Sequence, residues 1–395
     1  MTSAASAVPD ELVLGPLRIG SPVVLAPMAG VTNAAYRRLC REQGALRDAH
    51  SVRSSGTTGL YVCEMITSRG VVERDATTMS MLVFDEIEDI RSVQLYGTDP
   101  AYVGKAAEIL CAEYGVAHID LNFGCPVPKV TRKGGGGALP WKRRLLGEIL
   151  ESAVRAAEPY AVPVTIKTRM GIDEEHLTYL DAGRIAQDSG AAAIALHGRT
   201  VSQAYSGTAN WDAIGELVDH VDIPVLGNGD IWEAADALAM VRHTGAAGVV
   251  VGRGCLGRPW LFRDLAAAFA GQPAPALPRL GEVAQMMRRH AELLAWYMGE
   301  QRGCKEFRKH IAWYLKGFGA GGELRRSLGL VSSLVSLEEM LGRLDQDEPF
   351  PVLELGRPRG RQGSPRRVVL PQGWLEDTDG RPDCLPEDTI EMSGG

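Results

Sequence analysis

Short apolar runs alternate with amphipathic stretches from Ser21 to about Ala270. The runs are VVLA (23–26), LYVCEMI (60–66), SVQL (92–95), HIDLN (118–122), PVTIKTR (163–169), AAIALHG (192–198), IPVLG (223–227) and AGVVVG (247–252). They are nearly continuous in apolar character, as strands buried on both faces are. Segments of helical period lie at 33–43, 69–81, 100–114, 145–157, 177–189, 211–219, 233–243 and 258–270. Asp99-Pro100 places Pro at the start of one of them, and Gly115 and Gly190 follow the last turns of two. Eight strands, each followed by a helix, predict an α/β fold: a (β/α)8 TIM barrel over 12–270. The rival, an open doubly wound sheet, asks for G-x-G-x-x-G after the first strand, where this chain has APMAG.

The texture then changes. GQPAPALPRLGE (271–282) reads as a Pro-rich linker. From 282 to 346 apolar positions recur at helical spacing (Met286, His290, Leu293, Leu294, Tyr297), predicting a small all-helical domain. From 349 to 395 the pattern is lost in an irregular basic tail rich in Pro, Gly and Arg. Residues 45–59, ALRDAHSVRSSGTTG, are polar and unpatterned, and read as a surface insertion.

Composition narrows the class. The 395 residues, 45% apolar, suffice for a large core. Seven cysteines with no C-x-x-C spacing argue against a disulfide scaffold or a zinc ribbon, and place the chain in a reducing cytoplasm. No apolar run reaches the length of a membrane helix, and the N-terminus lacks the basic start and apolar stretch of a signal peptide, so a cytoplasmic monomer without metal or membrane is expected. The net charge of −7 does not favour nucleic acid, but it hides a basic C-terminal third: Arg302, Lys305, Arg308, Lys309, Lys316, Arg325 and Arg326, then Arg357, Arg359, Arg361, Arg366 and Arg367.

A barrel builds its site at the C-terminal strand ends. Those ends carry Pro27-Met28-Ala29-Gly30, Gln94, Asn122-Phe123-Gly124-Cys125-Pro126, Lys167-Thr168-Arg169, His197-Gly198-Arg199, Gly227-Asn228-Gly229-Asp230 and Gly252-Arg253-Gly254. The last two are Gly-bearing turns on adjacent strands, suited to a phosphate. A cation at Lys167 or His197 could neutralise a flavin carbonyl or a substrate phosphate, and Gln94 offers a donor and an acceptor to a ring edge. Singly, each reads as an ordinary structural residue; their convergence on one rim favours a site. Cys125, in a Gly-Cys-Pro turn, could donate a proton, or attack as a nucleophile if cations lower its pKa. The basic stretch after it, PVPKVTRKGGGGALPWKRR, reads as a flexible loop over the mouth, in which Lys129, Arg132 and Lys133 could meet a polyanion.

Taken in order, APMAGVTNAAYRRLC, SVQLYGTDP, DLNFGCPVPKVTRKGGGGALP, IKTRMG, ALHGRTVSQAYSGTANWDAI, IPVLGNGDI and VVVGRGCLGRPWLF resemble the tRNA-dihydrouridine synthases, most closely their bacterial B-type branch, over about residues 12–345. The resemblance implies an FMN-bearing barrel and a helical tRNA-binding domain, with NADPH as reductant and the C5–C6 bond of tRNA uridines as the target. It implies that Pro27, Met28 and Ala29 line FMN and that Gln94, Lys167 and His197 bond its ring or ribityl region. Asn228, Gly229, Asp230, Gly252 and Arg253 would cradle its phosphate and ribityl chain. Cys125 would be the general acid, and Asn122, Arg169 and Arg199 would hold the flipped uracil or the adjacent backbone. The chain departs from the family pattern at Asn33, usually Asp, at 45–59, at the GGGG run with Pro140-Trp141, and beyond Pro349. A flavoprotein reducing a free pyrimidine-like molecule is one rival, which the basic helical domain disfavours. A non-catalytic RNA-binding protein is the other, which Cys125 disfavours.

Overall fold

Strands that are apolar at odd and even positions alike need cover on both sides, here a ring of helices outside and a plugged interior. The computed structural model describes residues 8–45, 59–360 and 362–379; most of the 45–59 insertion lies outside them. First comes an antiparallel hairpin, β1 (Leu12–Leu14) and β2 (Leu17–Ile19), turning at Gly15. The barrel strands follow: β3 (Val23–Leu25), β4 (Leu60–Tyr61), β5 (Ile66–Thr67), β6 (Ser92–Tyr96), β7 (His118–Phe123), β8 (Val164–Arg169), β9 (Ala193–His197), β10 (Val225–Asn228) and β11 (Gly248–Val251). Alternation sorts their side chains. Val24, Ala193, Ala195, Leu226 and Val250 point inward onto Leu12, Leu14 and Ile19 of the hairpin, which closes that interior. Val23, Leu25, Ile194, Leu196, Val249 and Val251 point outward into the helix layer.

All barrel ladders are parallel, in the order β4-β3-β11-β10-β9-β8-β7-β6-β5. The run expected as one strand at 60–66 is split. Its first half pairs with β3, its second with β6, and Val62 bridges Ser92, so a single segment joins both ends of the ladder and closes the ring.

The surrounding helices are α1 (Ala34–Ala45), α2 (Ser68–Val72), α3 (Ala76–Met81), α4 (Pro100–Tyr114), α5 (Pro128–Thr131), α6 (Arg143–Ala157), α7 (Tyr179–Asp188), α8 (Asp212–His220), α9 (Ala234–Thr244) and α10 (Leu261–Phe269). Asp99 caps α4 by accepting from the N–H groups of Ala101 and Tyr102, a device worth about 1 kcal/mol. The helix expected at 69–81 is two, because Arg74 turns to φ +57° and Asp75 starts a new helix by accepting from Thr78 N at 2.7 Å.

Beyond the barrel, α11 (Leu280–Met298) and α12 (Glu300–Tyr314) form an antiparallel pair, joined by α13 (Gly322–Leu328) and α14 (Leu334–Leu341). Their core takes in Ala35, Leu39 and Trp260 from the barrel side. Among the described residues no helix is long and apolar enough to cross a membrane.

The loop after β7 is closely packed, contrary to the open loop its Gly content suggests. Residues 134–140 are buried. A Cβ on Gly136 would sit 2.7 Å from Cys125 O, and one on Gly137 2.3 Å from Val201 Cγ2. These glycines serve close approach rather than freedom. The described part of the tail has a turn at Val352–Glu354 and is anchored: Arg359 and Trp374 are each 3% exposed.

Candidate active site

The C-terminal strand ends open into one cavity of about 740 Å³. Pro27, Met28 and Ala29 line it after β3, Gln94 on β6, Asn122 and Cys125 at the end of β7, and Lys167 and Arg169 on β8. His197 follows on β9, then Asn228, Gly229 and Asp230 at β10, and Gly252 and Arg253 after β11. Of the residues expected at the site, Arg199 alone is not on that lining.

A hydrogen-bond chain holds the Cys125 turn. Asn122 Oδ1 accepts from Gly124 N at 3.1 Å and Cys125 N at 2.9 Å, while its Nδ2 donates to Gln94 Oε1 at 2.8 Å. Gln94 Nε2 donates to Asp120 Oδ2 at 2.6 Å, and Thr165 Oγ1 donates to Asp120 Oδ1 at 2.7 Å. The amide of Asn122, expected on the substrate, is thus largely spent on shaping the turn. Burial pushes the Cys125 thiol up, against the Val127 N–H and the Arg169 charge, which pull it down. At neutral pH it is a protonated thiol, an acid rather than a thiolate nucleophile.

The two buried arginines are braces. Arg169 donates from Nε to Gly124 O at 2.8 Å and from Nη1 to Thr200 O at 3.0 Å and Ala204 O at 2.8 Å. Arg199, 2% exposed, donates to Ser206 O and Gly207 O, and grips both carboxylate oxygens of Asp230 at 2.9 and 2.8 Å. That grip holds Asp230 at φ +55°, a conformation unusual for a residue with a side chain. Asp230 is therefore the partner of an arginine in the β10 turn.

Lys167 is used differently. Its Nζ has one acceptor among the described residues, Asn228 Oδ1 at 2.7 Å, and Asn228 is itself fixed by donating to Val250 O at 2.7 Å. An ammonium has three donors to satisfy. Burial, then repulsion from Arg169, brings Lys167 down to about 7, with Asp120 opposing. Burial also lowers Arg169 to about 10, with Arg199 and Arg253 adding repulsion and Tyr205 and Cys125 opposing. His197 is held well below its usual value by burial and by Arg169, Lys167, Arg199 and Arg253, so it is neutral. A buried cation lowered by a neighbouring cation, as Lys167 is by Arg169, is one that a bound anion would relieve.

Several lining residues escaped the sequence reading. Glu64 accepts from Gly30 N at 2.6 Å, and burial raises its pKa; it was hidden inside an apolar run. Tyr205 lies under Arg253 at 4.6 Å and Arg169 at 5.6 Å, and Trp232 under Arg253 at 5.0 Å. Asp120, raised to about 6 by burial, sits below the cavity. Gln362, Ser364 and Arg366 of the tail also line the mouth. Cys40, Cys63, Cys111 and Cys255 are buried, as small core residues are.

The cations of the helical unit divide. Arg308 donates to Val331 O and Leu330 O, and Arg325 to Leu315 O and Phe318 O, so both tie the unit together. Lys309 pairs with Glu306 and Lys316 with Glu354. Arg302, Lys305 and Arg326 are exposed and make no ion pair among the described residues.

The dihydrouridine synthase (Dus) family model matches residues 24–347. The "Probable tRNA-dihydrouridine synthase" of Mycobacterium tuberculosis is 56% identical over 386 residues, covering 97% of each chain. The "tRNA-dihydrouridine synthase B" of Pseudomonas aeruginosa is 36% identical over 313 residues, covering 79% of this chain and 89% of that one. Among solved structures, histamine dehydrogenase from Rhizobium sp. 4-9 superposes with a TM-score of 0.50 at 10% identity, over 86% of this chain and 65% of that one, a likeness of fold alone.

Proposed function

The chain belongs to the dihydrouridine synthase family, and from that premise we propose that it is a tRNA-dihydrouridine synthase that holds FMN in the barrel cavity, draws on NADPH, and adds two hydrogens across the C5–C6 bond of a tRNA uridine. The observation that carries the reading is the cavity's charge: Lys167, Arg169, His197 and Arg253 are all lowered, and one protonated thiol, Cys125, stands on the same lining.

These residues fit FMN. Arg253, with the Gly-bearing turns at Gly229 and Gly252, suits a phosphate. Lys167, with donors to spare, suits the carbonyl end of an isoalloxazine, and Pro27, Met28, Ala29, Gln94 and His197 complete the lining. When bound, FMN supplies the hydride that uracil C6 receives.

The chain's own residues do the rest. Cys125 keeps a proton on Sγ for uracil C5. Asn122 and Arg169 hold the turn that carries that thiol, the first through its amide and the second through Gly124 O. Arg199 acts at one remove, by fixing Asp230. Tyr205, its ring beside Arg253, offers a face for a base taken out of its stack. Residues 12–270 form the catalytic unit. Residues 282–346 form the tRNA-binding unit, through Arg302, Lys305 and Arg326.

Separating the two half-reactions tests this. In Cys125→Ala the bound flavin should be reduced by NADPH at the wild-type rate. Under anaerobic conditions its reoxidation by tRNA should be about 10²–10⁴-fold slower, the usual cost of losing a positioned acid. Stopped-flow absorbance reads both. Reoxidation of the variant by tRNA at the wild-type rate would remove Cys125 from the proposed reaction.

A further inference from the structure

The family match ends at residue 347, yet the chain continues and returns to the cavity. From Gly356 to Leu375 there is no Asp or Glu, while Arg357, Arg359, Arg366 and Arg367 fall within it. Such a stretch, without helix or strand, has no internal hydrogen-bond ladder to order it. It is ordered from outside, and three of its anchors lie around the mouth.

The first anchor is Arg359, whose Nη1 donates to Leu256 O at 3.3 Å and Trp313 O at 2.9 Å, joining the turn after β11 to the helical unit. The second is a reciprocal pair on the loop after β9: Arg366 N donates to Ser202 O at 3.0 Å, and Ser202 Oγ donates to Arg366 O at 2.9 Å. The third is Trp374, whose Nε1 donates to Ala138 O at 3.0 Å on the loop after β7. Its ring packs with Ala138 and Ile172, lies against Lys142 at 5.1 Å, and fills the space that a Cβ on Gly134 would need. The segment is a strap laid over the rim of the cavity.

Arg359 is spent on its anchor, but the cations of Arg366 and Arg367 are not. The side chains of Arg366 and Arg367 are exposed and make no ion pair among the described residues. Fixing the main chain beside an outward guanidinium removes part of the entropy cost of a later contact. Arginine's planar fork matches phosphate oxygens.

We propose that this strap is a second nucleic-acid edge of the site, with Arg366 and Arg367 contacting the tRNA phosphates that flank the nucleotide placed in the cavity. The proposal rests on the function argued above. The substrate is then gripped from two sides, by the helical unit and by the strap. The M. tuberculosis relative, whose match covers 97% of this chain, spans the strap region as well.

The test is the double variant Arg366→Ala/Arg367→Ala in the full-length flavoprotein. These side chains are exposed, the anchor at Arg366 is made by its main-chain atoms and the other two by Arg359 and Trp374, so the strap stays in place. The control is Arg155→Ala/Arg242→Ala, which removes two exposed arginines from the last turns of α6 and α9, at the far end of the barrel. With tRNA as substrate, KM should rise about tenfold at nearly unchanged kcat in the strap variant, and its log–log salt slope should fall by about 2, close to one per phosphate contact. The control should match wild type. Wild-type KM and salt slope in the strap variant would overturn the proposal and leave the strap as a clamp on the 134–142 loop. Equal loss in the control would also overturn it, by showing that charge acts without regard to place. If the wild-type protein is not reoxidised by tRNA at all, it is the proposed function that fails, and the two failures are distinct.

Discussion

The barrel mouth and the helical unit are both basic, but they hold their cations in opposite ways. In the mouth, Lys167, Arg169 and Arg253 are desolvated, with Arg169 lowering Lys167 and Arg199 lowering Arg253, and Arg169 and Arg199 are spent on carbonyls and on Asp230. In the helical unit, Arg302, Lys305 and Arg326 stand in solvent, where each charge is cheap to keep and weakly coupled to the others. A buried cation with donors to spare, as at Lys167, suits one small anionic group held at a fixed place. Solvated cations spread over helices suit a long polyanion whose exact position matters less. Basic sequence alone does not separate these uses; burial and partner count do.

The larger break in this contrast is expected at Lys167. Lys167→Met should weaken FMN affinity roughly 10–100-fold, as loss of a charge-assisted hydrogen bond does. Fluorescence titration of the apoprotein reads it. The pH dependence sharpens the point. Lys167 in the open site titrates at about 7, and a bound anionic or carbonyl acceptor favours the ammonium. Wild-type affinity should therefore fall as pH rises above about 7, and the Met variant should lose that slope. A flat wild-type profile would place Lys167 outside the cofactor contacts.

A smaller effect should separate two arginines six residues apart on α12. Arg302→Ala should reduce the salt slope of tRNA binding by about 1 and leave urea stability within about 0.5 kcal/mol. Arg308→Ala, which removes donors to Val331 O and Leu330 O, should cost about 1–2 kcal/mol in urea unfolding with little change in slope. Equal behaviour of the two would erase the distinction drawn within the helical unit.

Much of this architecture was legible in the chain. Eight apolar runs with a helix after each locate the barrel, because burial on both faces leaves a continuous apolar signature. The same logic hid the break between Tyr61 and Ile66, since a strand that changes partner keeps its apolar residues. Gly134–Gly137 read as a flexible loop because sequence shows what glycine permits; that Cys125 O and Val201 press on it is a tertiary fact. Arg199 follows His197 by two positions, and spacing placed both at the rim, yet its guanidinium is spent on Asp230 and on the carbonyls of Ser206 and Gly207. The strap was invisible for a simpler reason: its order comes from Ser202, Ala138 and Trp313, distant residues that no local pattern announces.

The central claim is that this cavity reduces a uridine within tRNA. The most direct measurement mixes the NADPH-reduced, anaerobic wild-type flavoprotein with tRNA lacking dihydrouridine, and follows flavin absorbance and the mass of the digested nucleosides together. The account predicts one dihydrouridine formed for each flavin reoxidised, with free uridine reoxidising none over the same time. Reoxidation by free uridine at a comparable rate, or by tRNA without any nucleoside gaining two hydrogens, would contradict it.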